Sequence, residues 1–391
     1  MVSFINKCDC CGCEACVQVC PQQCISFEED TEGFRYPQVD KAVCADCGLC
    51  EQVCPFMNPY EKRRPIEVLA AINKDDEVRE RSSSGGVFSL LANQVIDAGG
   101  VVFGVRFDDE WLAVFDCAET REQVAAFRGS KYLQARVGDC YVQCEQFLKD
   151  GRQVLFSGTP CQIAGLHRFL HKTHENLLTV DFICHGVPSP KVWEKYLDMV
   201  VPTGHNSINN ISFRDKRRGW KRFSIVIDHS AEGGIESVNN PIFEDPYGKA
   251  FLANLTLRPA CYACPAKSGR SHSDITLGDF WGIEQIIPQM DDDRGTSVVI
   301  IHTQKGQAVL RRDLFRWKPA KYNDIVRFNP SLEFSVKMHP KRREFFEGIN
   351  QGETISVLVR RCLQQTVANR VCSIAKHPVK SVKRMVKILF S

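Results

Sequence analysis

The 391-residue sequence has no uninterrupted apolar stretch near the roughly 18 to 20 residues that a bilayer-crossing helix needs, so a soluble or peripheral chain is expected. Residues 1–7 show no basic start, apolar stretch and cleavage site, and thus nothing that marks export into a disulfide-forming compartment; reduced thiols in the cytoplasm are expected. No Gly-x-Gly-x-x-Gly occurs, since Gly99-Gly100 and Gly104 lack its spacing, and a Rossmann fingerprint is excluded. Low-complexity segments are absent. Residues 354–391 contain no Asp or Glu against eight Lys or Arg, so this tail carries +8 while everything before it carries −5, an asymmetry hidden by the net +3. Residues 1–60 are poor in the opposite sign: Lys7, Arg35 and Lys41 face nine acidic residues, and that end repels nucleic acid. With 43% hydrophobic and 25% charged residues, the chain can bury a full core and is expected to fold as two or three units.

Cysteine is present in excess, with 20 residues, and its spacing is informative. Cys10, Cys13, Cys16, Cys20 and Pro21 form a C-x2-C-x2-C-x3-C-P run, and Cys44, Cys47, Cys50, Cys54 and Pro55 form a second. Two such runs point to two 4Fe-4S clusters, because each cube needs four soft sulfur ligands at tetrahedral corners and a short loop wraps only one side of it. In such pairs the fourth cysteine of each run crosses to the other cube. The expected sets are therefore Cys10, Cys13, Cys16 and Cys54, and Cys44, Cys47, Cys50 and Cys20. The alternatives are a disulfide knot or zinc knuckles, and zinc sites pair C-x2-C units across a long gap. Cys8, Cys11 and Cys24 crowd the first run and read as spare thiols.

Residues 1–60 are expected to form a dicluster ferredoxin domain, with a hairpin around Asp30-Thr31-Glu32-Gly33 and a polar linker at Glu61-Lys62-Arg63-Arg64-Pro65. Residues 66–353 alternate strand-like and helix-like segments, which predicts a mixed α/β or α+β body. Apolar runs at 68–72, 101–105, 154–156, 178–183 and 298–302 read as buried strands, and 85–96, 137–148, 160–170 and 190–200 show helical spacing. Short alternating segments within 207–238 predict an inserted antiparallel layer.

Four further cysteines stand in unusual settings: Cys161 in Gly158-Thr159-Pro160-Cys161-Gln162, Cys184 in Cys184-His185-Gly186, and Cys261-x2-Cys264-Pro265. Two of them follow strands directly, and a helix N-terminus at Cys161 favours a thiolate. Together they can close one more cube; redox-active or merely buried thiols, or zinc, are the other readings. Cys117, Cys140, Cys144, Cys362 and Cys372 have no completing partners.

Five separated motifs then carry a family resemblance: Arg81-Ser82-Ser83-Ser84-Gly85-Gly86-Val87-Phe88, Gly129-Ser130-Lys131-Tyr132-Leu133-Gln134, Phe156-Ser157-Gly158-Thr159-Pro160-Cys161-Gln162, Asp181-Phe182-Ile183-Cys184-His185-Gly186-Val187-Pro188-Ser189-Pro190 and Ser273-Asp274-Ile275-Thr276-Leu277-Gly278-Asp279-Phe280-Trp281-Gly282. Over residues 67–295 the chain resembles the coenzyme F420 hydrogenase/dehydrogenase beta-subunit family. The resemblance implies a flavoprotein oxidoreductase with FAD and a 4Fe-4S cluster in its body, passing electrons between iron–sulfur centres and a small-molecule hydride acceptor or donor. It favours a third cluster at Cys161, Cys184, Cys261 and Cys264. Ala135 departs from the family pattern, which often has Ser there. Related proteins without the deazaflavin coenzyme share these motifs, so the substrate does not follow from them.

For the flavin, Ser83, Ser84, Gly85 and Gly86 offer hydroxyls and backbone N–H groups at a helix start, where the dipole favours a pyrophosphate; an ordinary helix cap is the plainer reading. Lys131 can set a positive charge beside the flavin or a phosphate, and Tyr132 can stack or hydrogen-bond. His185 can supply a proton or be structural. Arg214, Lys216, Arg217 and Arg218 with Trp220 can form a phosphate-contact patch or guard an exposed strand edge. The rival functions are an electron-transfer subunit docked on a larger dehydrogenase or hydrogenase complex, without a substrate of its own, and an iron–sulfur scaffold or regulator.

Within the tail, Pro378 opens a helical pattern with Val379, Val382, Met385, Val386 and Leu389 on one face and Lys380, Lys383, Arg384 and Lys387 elsewhere. Such a helix can lie on the inner, anionic membrane face, with about 1 kcal/mol from each basic group, or dock on a partner protein. Sedimentation with anionic liposomes separates the two. Salt-sensitive binding lost in a chain ending at Lys376 is expected from the membrane reading, and equal, negligible binding by both chains leaves docking.

Overall fold

The computed structural model describes residues 6–364, so Cys372 and the helical pattern from Pro378 lie outside the described residues. Residues 6–60 contain two short helices, Ala15–Gln18 and Leu49–Gln52, each within one cysteine run. Between them β1 (Ile25–Glu29) and β2 (Arg35–Val39) pair antiparallel, with Phe27 opposite Pro37. Asp30 sets their turn, its Oδ1 accepting from the N–H groups of Glu32 and Phe34 at 2.9 and 3.0 Å.

The body is built on eight strands: β3 (Glu67–Asn73), β4 (Val101–Phe107), β5 (Ala113–Ala118), β6 (Val154–Gly158), β7 (Leu177–Phe182), β11 (Ile275–Asp279), β12 (Ser297–Ile301) and β13 (Phe315–Pro319). They lie in the order β13-β3-β12-β11-β7-β6-β4-β5. The central four, β11, β7, β6 and β4, are parallel, and every outer pairing is antiparallel. Successive side chains point to opposite faces, so Leu69, Val102, Leu155 and Val299 pack with Leu91 of helix Val87–Asp97 on one side. Val101, Phe103, Val154 and Phe156 pack on the other with Ile163 and Leu166 of helix Pro160–Leu170. That helix starts where its sequence says it should, with Thr159 and Gln162 forming a capping box and Pro160 in the first turn. Ser189 caps helix Pro190–Val200 in the same way, its hydroxyl accepting from Val192 N–H.

Between the helices after β7 and before β11, β8 (Ile208–Asp215), β9 (Ser224–Ala231) and β10 (Gly234–Pro241) form a separate antiparallel sheet in the order β10-β9-β8. The inserted layer thus runs three residues beyond 238. The basic stretch on it divides: Arg214 and Lys216 are buried, whereas Arg217 and Arg218 are exposed.

The structure departs from the sequence reading at element edges. The helix expected from 85 begins at Val87, because Gly86 takes φ +80° as its cap and Gly85 is pressed against the sheet, where an added Cβ would stand 2.3 Å from Ala71 O. The helix expected from 137 begins at Cys140. Strands β5, β11 and β13 had no apolar run to announce them, and β13 buries only Phe315.

The ferredoxin segment is not set apart. Cys10, Cys11, Phe34, Tyr36 and Val53 belong to the same hydrophobic core as Tyr141, Leu166 and Phe345. Arg342 grips Glu32 with two bonds of 2.8 and 2.6 Å, and Gln18 Oε1 accepts from Tyr141 N–H at 2.8 Å. Helix Ile355–Leu363, at the head of the basic tail, buries Ile355, Leu358, Val359 and Cys362 in this core beside helix Arg342–Asn350. Among the described residues no helix is long and apolar enough to cross a membrane. Leu358→Ala removes a fully buried side chain, and urea unfolding is expected to show a loss of about 2–5 kcal/mol.

Candidate metal centres and cofactor site

The first run wraps a tight loop in which Gly12 (φ +69°) and Glu14 (φ 61°) are left-handed and turn the chain back on itself. Cys10, Cys13 and Cys16 are buried here, and Cys54 arrives from the second run, equally buried. The four act on one another. Burial, then Cys13, Cys10 and Cys54, raise the Cys16 thiol well above its usual range, and burial with Cys13 and Cys10 pushes Cys54 up to about 11.

Cys20, Cys44, Cys47 and Cys50 line one pocket, and Cys24 shares its wall. Cys20 and Cys24 sulfurs lie 3.4 Å apart, and burial followed by Cys20 and Cys44 pushes the Cys24 thiol up to about 12. Cys47 is exposed at the rim. Cys20 of the first run thus faces the loop of the second.

The third set assembles at the carboxyl ends of the parallel strands, where open α/β sheets bind their ligands. Cys161 is in the first turn after β6, Cys184 follows β7, and Cys261 and Cys264 lie in and just after the 3-10 turn Pro259–Ala263. Burial raises Cys184 well above its usual range; Lys267 opposes this, while Cys261, Cys161 and Cys264 add to it. Burial pushes Cys261 to about 11 and Cys264 to about 12, with Cys161 acting on both. Val187 N–H points at Cys261 Sγ at 3.4 Å, and Lys267 Nζ donates to Cys184 O at 2.6 Å. Among the described residues no three His, Cys, Asp or Glu side chains close on a single metal ion. A cube takes its four thiolates at four separate irons, one at each corner.

Cys11, read from the sequence as spare, stands between the first and third sets. Hydrogen bonding with Cys11 is the main cause that lowers the Cys161 thiol to about 7, and Cys11 also touches Cys13. His185, beside Cys184, has Nε2 at 2.7 Å from Asn254 Oδ1 and its ring edge-on to Phe251.

The residues proposed for the flavin are only partly brought together. Ser83 Oγ lies 3.0 Å from Ser130 Oγ and accepts from Ser130 N–H at 2.8 Å. Ser84 Oγ donates to Thr296 O, and Gly85 N–H donates to Ser297 Oγ, so both are engaged with β12 and the residue preceding it. Tyr132 stacks on Phe251 at 4.9 Å. Lys131 Nζ donates to Ala126 O and Arg128 O, carbonyls of its own turn, and burial lowers its pKa to about 7. Arg214, expected in a basic phosphate-contact patch or at a guarded strand edge, joins the group. Its Nη1 donates to Asp279 at 2.7 Å and to Tyr132 OH at 3.3 Å, and its Nη2 donates to Ser83 O at 3.3 Å. Arg214 Nε is buried with no partner among the described residues, and the guanidinium covers the Phe223 ring at 3.9 Å. Asp279 lies in the Gly278-Asp279-Phe280-Trp281-Gly282 motif, the one signal that pointed here.

With this geometry in place, comparison with known proteins is direct. The family profile for the N-terminal part of the coenzyme F420 hydrogenase/dehydrogenase beta subunit matches residues 68–139, and the profile for the C-terminal part of that same subunit matches 151–314. A 4Fe-4S dicluster domain profile matches 9–58. A search of curated proteins finds no match. Among solved structures, a chain of the F420-reducing [NiFe] hydrogenase complex from Methanosarcina barkeri aligns at 17% identity and a TM-score of 0.46, covering 75% of this chain and 92% of that one. The chain belongs to the coenzyme F420 hydrogenase/dehydrogenase beta-subunit family, a family of oxidoreductase subunits, and carries a 4Fe-4S dicluster domain ahead of it.

Proposed function

We propose that this protein is a cytoplasmic iron–sulfur flavoprotein oxidoreductase that exchanges single electrons with a redox partner protein and a hydride with a small molecule, coenzyme F420 or another carrier. One observation supports it above the rest: three sets of cysteines gather in one chain, with Cys11 in contact with members of the first and third. The first set, Cys10, Cys13, Cys16 and Cys54, and the second, Cys20, Cys44, Cys47 and Cys50, would hold the clusters of the dicluster domain. Cys161, Cys184, Cys261 and Cys264 would hold a third. The donor set fits: all are free thiols, and the four of the second set line one pocket. Bound 4Fe-4S clusters supply one-electron storage.

FAD, when bound, supplies the exchange between one-electron and two-electron transfer. Its fit rests on the orphaned Arg214 Nε and on the Ser83 carbonyl and Tyr132 hydroxyl gathered around that guanidinium. Arg214 would offer a fixed positive charge to an anionic part of the cofactor, Asp279 would hold the guanidinium in place, and Tyr132 would present its hydroxyl. Gly86 leaves the start of helix Val87–Asp97 without a side-chain cap, and Lys131 offers an amine whose pKa burial lowers. Cys47, at the solvent rim, sets the second centre where a partner protein can approach.

Anaerobic purification followed by iron, sulfide and flavin quantitation tests the reading. About twelve iron and twelve sulfide per chain are expected, with one flavin. The variant carrying Cys184→Ser and Cys261→Ser is expected to fall to about eight iron. Eight in the unmodified chain would remove the third cluster, and three clusters without flavin absorbance would leave an electron-transfer subunit with no substrate of its own. Asp279→Ala leaves Arg214 buried without its carboxylate and is expected to cost about 3–5 kcal/mol in urea unfolding, with weaker flavin retention on gel filtration.

A further inference from the structure

Arg258 is fully buried between the first and third cysteine sets: its guanidinium meets Cys10, and its carbonyl oxygen accepts from Cys261 N–H at 2.9 Å. Its Nε donates to Cys10 O at 2.7 Å and its Nη2 points at Cys10 Sγ at 3.4 Å. Nη2 also donates to Arg35 O at 3.0 Å, Nη1 donates to Gln134 Oε1 at 2.9 Å, and the guanidinium lies 4.3 Å above the Tyr36 ring. Backbone carbonyls, an amide, a ring and a sulfur form this shell, and among the described residues no carboxylate forms an ion pair with Arg258. A buried guanidinium held that way is costly, because a charge taken out of water needs an opposite charge nearby. Burial works against its charge, and the groups that favour it are Cys10, Tyr36, Cys11 and Cys261. Cys10 is in the first set and Cys261 in the third. The close approach is built in, since a Cβ on Gly12 would stand 3.0 Å from Arg258 Nη1 and 2.3 Å from Gln134 Nε2.

We infer that Arg258 is a positioning residue that serves as the shared counter-charge of the first and third clusters, holding their two ligand loops together and favouring the reduced form of both. This rests on the three-cluster reading above. Transfer between the two centres moves one electron, oxidising one and reducing the other, with no bond or proton exchanged. Reduction adds one negative charge beside a fixed positive one, so the arginine raises the tendency of each centre to accept the electron; hydrogen bonding to a ligand sulfur acts in the same direction. Among the described residues no cysteine of the second set hydrogen-bonds to Arg258, so that set serves as an internal control.

The test is a redox titration of the full chain followed by electron paramagnetic resonance, for the unmodified protein, Arg258→Gln, Arg258→Lys and Gln134→Glu. Gln removes the charge, Lys keeps it without the fork, and Glu at 134 places a carboxylate against the guanidinium with little change of shape. Arg258→Gln and Gln134→Glu are each expected to shift the first and third centres at least tenfold toward the oxidised form at fixed potential, about 59 mV for a one-electron couple. Arg258→Lys restores most of that, and the second centre does not move. Should Arg258→Gln lose its clusters, Gln134→Glu carries the test. First and third centres that ignore the substitutions, or a second centre that shifts equally, would overturn the inference. An unmodified protein with only two clusters would instead overturn the reading beneath it.

Discussion

The seating of the Cys10–Cys13 loop against the body governs much of this structure. That loop is left-handed at Gly12 and Glu14 and lies under the buried guanidinium of Arg258, with Cys11 against Cys161 at the end of β6. If the two parts of the chain were joined only by a linker, electron exchange between them would depend on how often they met. Here they share one hydrophobic core, and Glu32 and Gln18 tie the ferredoxin segment to Arg342 and Tyr141. The separation of the first and third cysteine sets is therefore a property of packing, with the same standing as the spacing of two strands.

The parallel centre of the sheet does the complementary work. Strands β6, β7 and β11 end on one side, so Cys161, Cys184 and Asp279 arrive at neighbouring places although 118 residues separate the first from the last. Candidate metal ligands come from the first two ends, and the carboxylate that holds Arg214 comes from the third. A candidate one-electron centre and a candidate flavin site thus grow from adjacent strand ends of one rigid element, and the antiparallel insert supplies Arg214 from above. Rigid strands hold such groups more closely than loops do, as a short electron path requires.

Legibility in the sequence followed the range of the interactions. The two cysteine runs are local, and their spacing alone named the dicluster domain. Strands β3, β4, β6, β7 and β12 announced themselves as apolar runs because both their faces are covered, whereas β11, though central, and β13, with one buried side chain, left no such mark. Cys11 looked spare because its partner is Cys161, and Arg258 drew no notice because its bond to Cys10 spans 248 positions. Arg214 was read with its basic neighbours as an edge guard or a phosphate patch. Only the fold shows that Arg214 and Lys216 turn inward while Arg217 and Arg218 face water. Long-range polar pairs between single residues carry no periodicity, so pattern reading has nothing to detect.

The central claim is that three iron–sulfur cubes sit in one chain, two in the dicluster domain and one among Cys161, Cys184, Cys261 and Cys264. Anomalous diffraction at the iron absorption edge, from crystals of the full chain grown without oxygen, addresses it most directly. Three compact peaks are expected, the third enclosed by those four sulfurs, with Arg258 between it and the first. Two peaks, or a body peak that responds at the zinc edge, would contradict it.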